Sequence, residues 1–91
     1  MIASWRHKGL RDLFLTGTSA KVRPDQHKKC LRQLDALKQA VAPEDMNVPG
    51  WHFHGLRGNP KRYAVAVNGP WRITFGFVET SAIDVDLEQY H

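Results

Sequence analysis

The sequence predicts an α+β domain with the element order β-α-α-β-β-β, in which two N-terminal helices pack on one face of an antiparallel sheet. Two changes along the chain carry this prediction. Apolar residues recur every three or four positions in the first half and every second position in the last third. The chain has 91 residues, 42% of them hydrophobic, which is enough for one modest core. We therefore expect a single domain over residues 1–91.

The N-terminal part begins with a short apolar segment, residues 2–5, that suits an edge strand. Leu10, Leu13 and Phe14 then follow the i, i+3, i+4 spacing of a helix face. Gly17 is placed to end this helix, because glycine readily adopts the left-handed conformation of a helix C-cap.

The second helix is predicted over residues 24–40, with Pro24 at its first position and Pro43 beyond its end. Its apolar face steps by four, three and four residues through Cys30, Leu34, Leu37 and Val41. We expect Cys30 to be a buried core residue with no redox role.

Three strands are predicted over residues 63–67, 71–77 and 83–87, with a further short strand near residues 51–54. Asn68 and Gly69 are typical of a hairpin turn between the first two. If Asn68 and Gly69 were the two central residues of the turn, Pro70 would have to donate the closing hydrogen bond. Proline has no N–H, so a longer connection is expected.

Alternation along the strand at residues 71–77 decides which side chains face the helices. If Ile73 and Phe75 meet the helices, Arg72 points to the other face. The same parity places three acidic residues there: Asp84, Asp86 and Glu88. A cross-strand pair of Arg72 with Asp84 or Asp86 is the structural alternative to a binding role for Arg72.

The charge of the chain is unevenly placed, with 13 Lys and Arg against 9 Asp and Glu, a formal +4. No acid lies between Asp45 and Glu79, a stretch that contains Arg57 and Arg72, and no Lys or Arg follows Arg72. A basic block of this kind suits phosphate groups. The alternative is that the basic and acidic blocks pair with each other within the fold.

Cysteine content and hydropathy indicate the compartment. The lone Cys30 excludes an intrachain disulfide and a multi-cysteine zinc site, which favours a reducing compartment. No apolar run approaches the roughly 18 residues of a membrane span. We therefore expect a cytoplasmic protein with no membrane partner.

Histidines provide the groups most suited to chemistry. His52, His54 and His91 permit three interpretations: a metal site, metal-free RNA cleavage, or surface residues without a role. RNA cleavage needs a base, an acid and a cation for the phosphate, which histidine and arginine supply. Trp51 and Trp71 beside them are expected to pack in the core.

Four blocks of sequence carry a resemblance to a known family. They are Trp-Arg-His-Lys-Gly-Leu at residues 5–10, Phe-His-Gly-Leu-Arg-Gly-Asn at 53–59, Trp-Arg-Ile-Thr-Phe at 71–75 and Glu-Gln-Tyr-His at 88–91. In this order they resemble the HigB-type killer toxins of bacterial toxin–antitoxin modules, within the RelE superfamily. The resemblance implies a RelE-like α+β fold and a ribosome-dependent mRNA interferase. Such a toxin binds in the decoding site of the small ribosomal subunit, in contact with rRNA, and cuts the mRNA there. In the reaction, a ribose 2′-hydroxyl of the mRNA attacks the adjacent phosphate.

The resemblance also implies partners and a site. The expected partners are mRNA on the ribosome and a cognate helix-turn-helix antitoxin of the HigA type, with operon DNA bound only through the antitoxin complex. No metal or other cofactor is expected. The matched positions are, for catalysis, His54, Arg57, Arg72, Tyr90 and His91, and, for following the RNA backbone, Lys61 and Arg62. His54 and His91 are the candidates for proton transfer, with base and acid unassigned.

One position departs from the family pattern. The family commonly ends in Asp-Tyr-His, and this chain has Gln89 at the Asp position. Glutamine cannot carry charge or accept a proton as a carboxylate does. Glu88 or the terminal carboxylate of His91 is a possible substitute. The alternative function is a catalytically weakened RNA- or antitoxin-binding module with the same fold.

Overall fold

The structure, a computed structural model, describes residues 1–89. Within them the chain forms α1 (Lys8–Thr16), α2 (His27–Gln39), β1 (His54–Leu56), β2 (Arg62–Asn68), β3 (Trp71–Val78) and β4 (Ser81–Gln89). The strands make one antiparallel sheet in the order β1-β2-β3-β4. The predicted α+β class and the general order of elements are confirmed. Neither helix within residues 1–89 is long and apolar enough to cross a membrane.

Local signals set the ends of both helices. The imidazole of His7 accepts a hydrogen bond from the backbone N–H of Leu10 at 2.9 Å and caps the start of α1. Gly17 ends α1 in the left-handed region, with φ of 85°, as predicted. Pro24 opens a short 3-10 helix, Pro24–Gln26, so α2 begins three residues later than predicted.

The core lies between the helices and one face of the sheet. Leu13 of α1 and Leu34 of α2 are fully buried, as are Val65 of β2 and Phe75 of β3. Cys30 is also fully buried, which confirms its predicted place in the core. We call this side of the sheet the packed face and the other side the open face.

The N-terminal segment covers the outer edge of β4. Ile2 and Trp5 form isolated parallel bridges with Ala82 and Val85. The predicted edge strand is therefore reduced to two bridges, which nevertheless satisfy backbone groups that an open edge would leave exposed.

The β2–β3 connection differs from the prediction. It has only two residues, Gly69 and Pro70, because a β-bulge between Ala66 and Asn68 shifts the turn by one position. Gly69 is the first central residue, with φ of 51°, and Pro70 is the second, where no N–H is required. The expected longer connection was wrong because it placed Asn68 at the centre of the turn.

A second bulge makes the predicted alternation of side chains wrong in the first part of β4. The register shifts between Thr74 and Gly76, and Asp84 has a φ of 49°. Ile83 therefore lies on the open face, opposite Gly76. In the ladder between β3 and β4, Arg72 pairs with Glu88 rather than with Asp84. The backbone N–H of Asp84 donates to the hydroxyl of Ser4 at 2.8 Å.

Candidate functional site

The open face carries polar side chains in two rows that cross the sheet. The first row consists of His54, Ala64, Thr74 and Asp86, and the second of Ala66, Arg72 and Glu88. Residues paired across antiparallel strands share a face, so the register alone places His54 and Arg72 on the same side. Small side chains on β2 separate these two residues and leave room above the sheet.

A pocket of about 300 Å³ opens at this end of the sheet. Its lining consists of His52, His54, Ala66, Gly69, Trp71 and Arg72. The structure thus brings together His54 and Arg72, which are separated by 18 positions in the chain. The prediction that Trp51 packs in the core is confirmed, because it is only 8% exposed. Trp71 instead packs against the core with part of its surface and lines the pocket with another.

His54 is the exposed first residue of β1. Its Nδ1 atom lies 2.9 Å from the backbone carbonyl oxygen of His52. His52 has a φ of 52°, in the left-handed region that residues with a Cβ atom rarely adopt. The loop before β1 therefore orients the ring of His54 through a backbone contact.

Arg62 and Thr74 form a polar network at the middle of the open face. The guanidinium of Arg62 donates to the Thr74 hydroxyl at 3.0 Å and to the carbonyl oxygen of Asp84 at 2.9 Å. The Thr74 hydroxyl in turn donates to the carboxylate of Glu88. Burial lowers the pKa of Arg62, and the positive charge of Arg6 adds to this, whereas three acidic residues of β4 act in the opposite direction.

The other predicted cations lie outside the pocket. Arg57 is exposed, one residue beyond the end of β1. Lys61 is exposed, with its Nζ atom 5.9 Å from the centre of the Tyr63 ring. Tyr63 pairs with Phe75, so Lys61 lies on the packed side of this edge. Its role in RNA binding stays a prediction.

Tyr90 and His91, the two remaining predicted catalytic residues, lie outside the described residues. β4 ends at Gln89, whose partner across the ladder is Trp71 of the pocket. The strand therefore ends beside the pocket wall. Among residues 1–89, no group of three His, Cys, Asp or Glu side chains is placed to hold a metal ion.

Sequence reasoning missed two features of the site. It named Asp84 and Asp86 as the alternative cross-strand partners of Arg72, whereas the register pairs Arg72 with Glu88. It also gave no role to Thr74, which is fully buried although it faces away from the helices. A buried threonine between an arginine and a glutamate is visible only once the strands are aligned.

Comparison with known proteins gives two matches. The model of a family described as the RelE-like toxin of the type II toxin–antitoxin system HigB matches residues 3–91. The chain is also similar to a curated protein of Proteus vulgaris named Endoribonuclease HigB. The two are 33% identical over 92 residues, and the alignment covers 100% of both chains.

Proposed function

Because this chain belongs to the HigB-like toxins of type II toxin–antitoxin systems, we propose that it is an endoribonuclease that cleaves mRNA in the ribosomal A site and so inhibits translation. The observation that supports this most is the pocket shared by His54 and Arg72. It combines a group that transfers protons near neutral pH with a cation whose planar donors match phosphate oxygens.

The proposed reaction is an internal transfer at one phosphate. The ribose 2′-hydroxyl loses its proton to one histidine, and its oxygen attacks the adjacent phosphorus. The bond from phosphorus to the 5′-oxygen breaks, and that oxygen takes a proton from a second histidine. The products are a 2′,3′-cyclic phosphate and a 5′-hydroxyl. His54 and His91 are the two proton-transfer residues of this scheme, which uses no metal ion.

Arginine supplies the electrostatic part of the proposed mechanism. Charge accumulates on the non-bridging phosphate oxygens as the new bond forms. Arg72 is half-buried on β3 and lines the pocket, so its attraction for these oxygens is screened less than that of a surface cation. We propose that Tyr90 orients the phosphate or stacks on a base beside it.

RNA outside the pocket needs weaker, less specific contacts. Arg57 is exposed at the end of β1 and is free of the steric limits of the pocket, which suits a contact to the RNA backbone. Lys61 is exposed near the same edge. Arg62 is already bonded to Thr74 and Asp84, so its contribution to RNA binding is the weaker of the two.

The proposed partners follow from the same scheme. The substrate is mRNA held on the small ribosomal subunit, which places the protein in the cytoplasm. A helix-turn-helix antitoxin of the HigA type neutralises it, and operon DNA is bound through that complex alone.

Translating ribosomes programmed with a defined mRNA provide the test. The wild-type protein is expected to cut the message within the A-site codon and leave a 2′,3′-cyclic phosphate. His54→Ala and Arg72→Ala are each expected to slow cleavage by about 10²–10³-fold. Lys28→Ala is the matched control, because Lys28 is an exposed cation on α2 and is expected to leave cleavage unchanged. Equal cleavage by wild type and both site variants would overturn the proposal.

The Gln89 substitution supports a second candidate, a toxin fold whose catalysis is weakened. Gln89 cannot act as a carboxylate at the position where the family has Asp. If this reading is correct, the wild-type protein binds ribosomes but cuts slowly, and Gln89→Asp cuts faster. If Gln89→Asp cuts no faster than the wild type, the weakened-toxin candidate is removed.

A further inference from the structure

We propose that His52 is a positioning residue that fixes the tautomer of His54, so that Nε2 of His54 carries the lone pair that takes the proton from the attacking hydroxyl. The inference about the tautomer stands on geometry alone. Its consequence for the reaction rests on the proposed function, and it assigns His54 as the base and His91 as the acid.

The backbone of His52 has an unusual conformation. Among residues 1–89, only His52, Glu79 and Asp84 adopt positive φ without being glycine. Glu79 lies in the β3–β4 turn and Asp84 at a bulge, where positive φ is expected. His52 lies outside every strand and hairpin of the described chain, in the loop that leads to the pocket.

The residues on both sides of His52 are anchored. The carbonyl oxygen of Trp51 accepts a hydrogen bond from the N–H of Ala66 at 2.8 Å, and Trp51 is buried. On the other side, His54 pairs with Ala64 in the ladder between β1 and β2. His52 must turn the chain between these two fixed points, and its left-handed φ is how it does so.

This turn directs the carbonyl group of His52 at the ring of His54. The distance from that oxygen to Nδ1 of His54 is 2.9 Å, which is ordinary for an N–H···O hydrogen bond. A carbonyl oxygen only accepts, so Nδ1 is the nitrogen that bears hydrogen. A neutral imidazole carries one ring hydrogen, and Nε2 of His54 is therefore left with a free lone pair.

The tautomer sets the direction of proton transfer. Nε2 accepts the proton of the 2′-hydroxyl as the O–H bond breaks, and the electron pair of that bond goes to the new bond between oxygen and phosphorus. The imidazolium that results has hydrogen on both nitrogens, and the His52 carbonyl continues to accept from Nδ1. His54 acts as the base, and the proton for the leaving 5′-oxygen comes from His91.

Substitutions at His52 distinguish the role of its backbone carbonyl group from that of its side chain. Glycine adopts left-handed φ freely and asparagine tolerates it, so His52→Gly and His52→Asn keep the carbonyl in place. Valine is strongly disfavoured in that region, so His52→Val moves the carbonyl away. Glu79→Val is the matched control. Glu79 has a φ of 56°, so valine is disfavoured there in the same way, but the turn that contains it does not line the pocket.

The experiment measures both ring nitrogens of His54 by NMR of protein with ¹⁵N-labelled histidine, at a pH of about 8, above the usual titration range of histidine. His54→Ala identifies the signals. We expect hydrogen on Nδ1 and a lone pair on Nε2 in wild type, His52→Gly, His52→Asn and Glu79→Val. In His52→Val, the other tautomer gains population. The same variant is expected to lose on the order of tenfold in the single-turnover rate on ribosomes, with little change in KM.

The outcomes separate this inference from the proposed function. A wild-type spectrum with hydrogen on Nε2 overturns the inference whatever the activity, as does an unchanged tautomer in folded His52→Val. If His52→Val does not fold, a His52→Gly spectrum with hydrogen on Nε2 still contradicts it. If the tautomer is as proposed but His54→Ala cuts like the wild type, the inference about His52 holds and the proposed role of His54 fails.

Discussion

The two faces of the sheet are built from the same strands but differ in what stabilises them. On β3, Ile73 and Phe75 point to the packed face and are buried against the apolar side chains of the helices. Thr74, between them in sequence, is buried just as completely, although no helix covers it. Its neighbours are the guanidinium of Arg62 and the carboxylate of Glu88.

Side chains that contribute to stability and side chains that contribute to the site therefore lie on opposite faces of the same strand. Apolar burial is non-directional, so many side chains on the packed face share the stabilisation. Hydrogen bonds on the open face are directional, and each polar group depends on a particular partner. We therefore expect substitutions on the packed face to act on the free energy of unfolding, and those beside the pocket to act on cleavage.

The largest effect on stability is expected from Phe75→Ala. The ring of Phe75 is fully buried and contacts the rings of Tyr63 and Phe77, with centroid distances of 5.8 and 6.3 Å. Its removal is expected to lower the free energy of unfolding by about 3–5 kcal/mol, measured by urea denaturation. Val78→Ala on the same strand is the control, because Val78 is 54% exposed. Equal losses in the two variants would contradict the distinction between the faces.

A smaller effect is expected from Thr74→Val, which keeps the shape of the side chain but removes its hydroxyl. Arg62 then loses an acceptor and Glu88 loses a donor, and both of these hydrogen bonds are partly buried. The free energy of unfolding is expected to fall by about 1–3 kcal/mol. Thr74→Ser keeps the hydroxyl, so it is expected to recover most of this loss. If the valine variant is as stable as the wild type, the network does not stabilise the open face.

The smallest expected effect is the pH dependence of the stability that Cys30 contributes on the packed face. Burial raises the pKa of Cys30 to about 11, from an ordinary value of 9.0, and the positive charge of Lys29 acts in the opposite direction. The unfolded thiol therefore ionises at lower pH than the folded one. Stability from this group is complete below about pH 9 and is lost as the pH rises towards 11.

Comparison with Cys30→Ala isolates this contribution. Between pH 9 and 11, the wild type is expected to lose on the order of 1 kcal/mol more of its unfolding free energy than the variant does. Parallel curves for the two proteins would mean that Cys30 is less buried than the structure has it.

Periodicity predicted the parts of the fold that depend on spacing alone. The face of Ile73 and Phe75 and the burial of Cys30 follow from repeats of two or of three to four residues. The end of α1 at Gly17 follows from the residue type, because glycine readily adopts the left-handed C-cap conformation. The site depends on register as well. A bulge adds one residue without changing the apolar pattern before it, so the placement of Asp84 could not be read from alternation.

The contacts within the site also could not be predicted from the sequence. His54 and Arg72 could be named from a resemblance, but their shared pocket depends on how β1 aligns with β2 and β2 with β3. The left-handed turn at His52 has no signal in the residue type, because histidine tolerates this conformation without requiring it.

The central claim is that the pocket on the open face cuts RNA. The most direct measurement is the single-turnover rate of mRNA cleavage on translating ribosomes for wild type and His54→Ala, with urea denaturation of both proteins alongside. His54 is exposed, so its removal is expected to change the free energy of unfolding by no more than about 0.5 kcal/mol. Cleavage is expected to slow by about 10²–10³-fold. Undiminished cleavage by a stably folded His54→Ala variant would contradict the account.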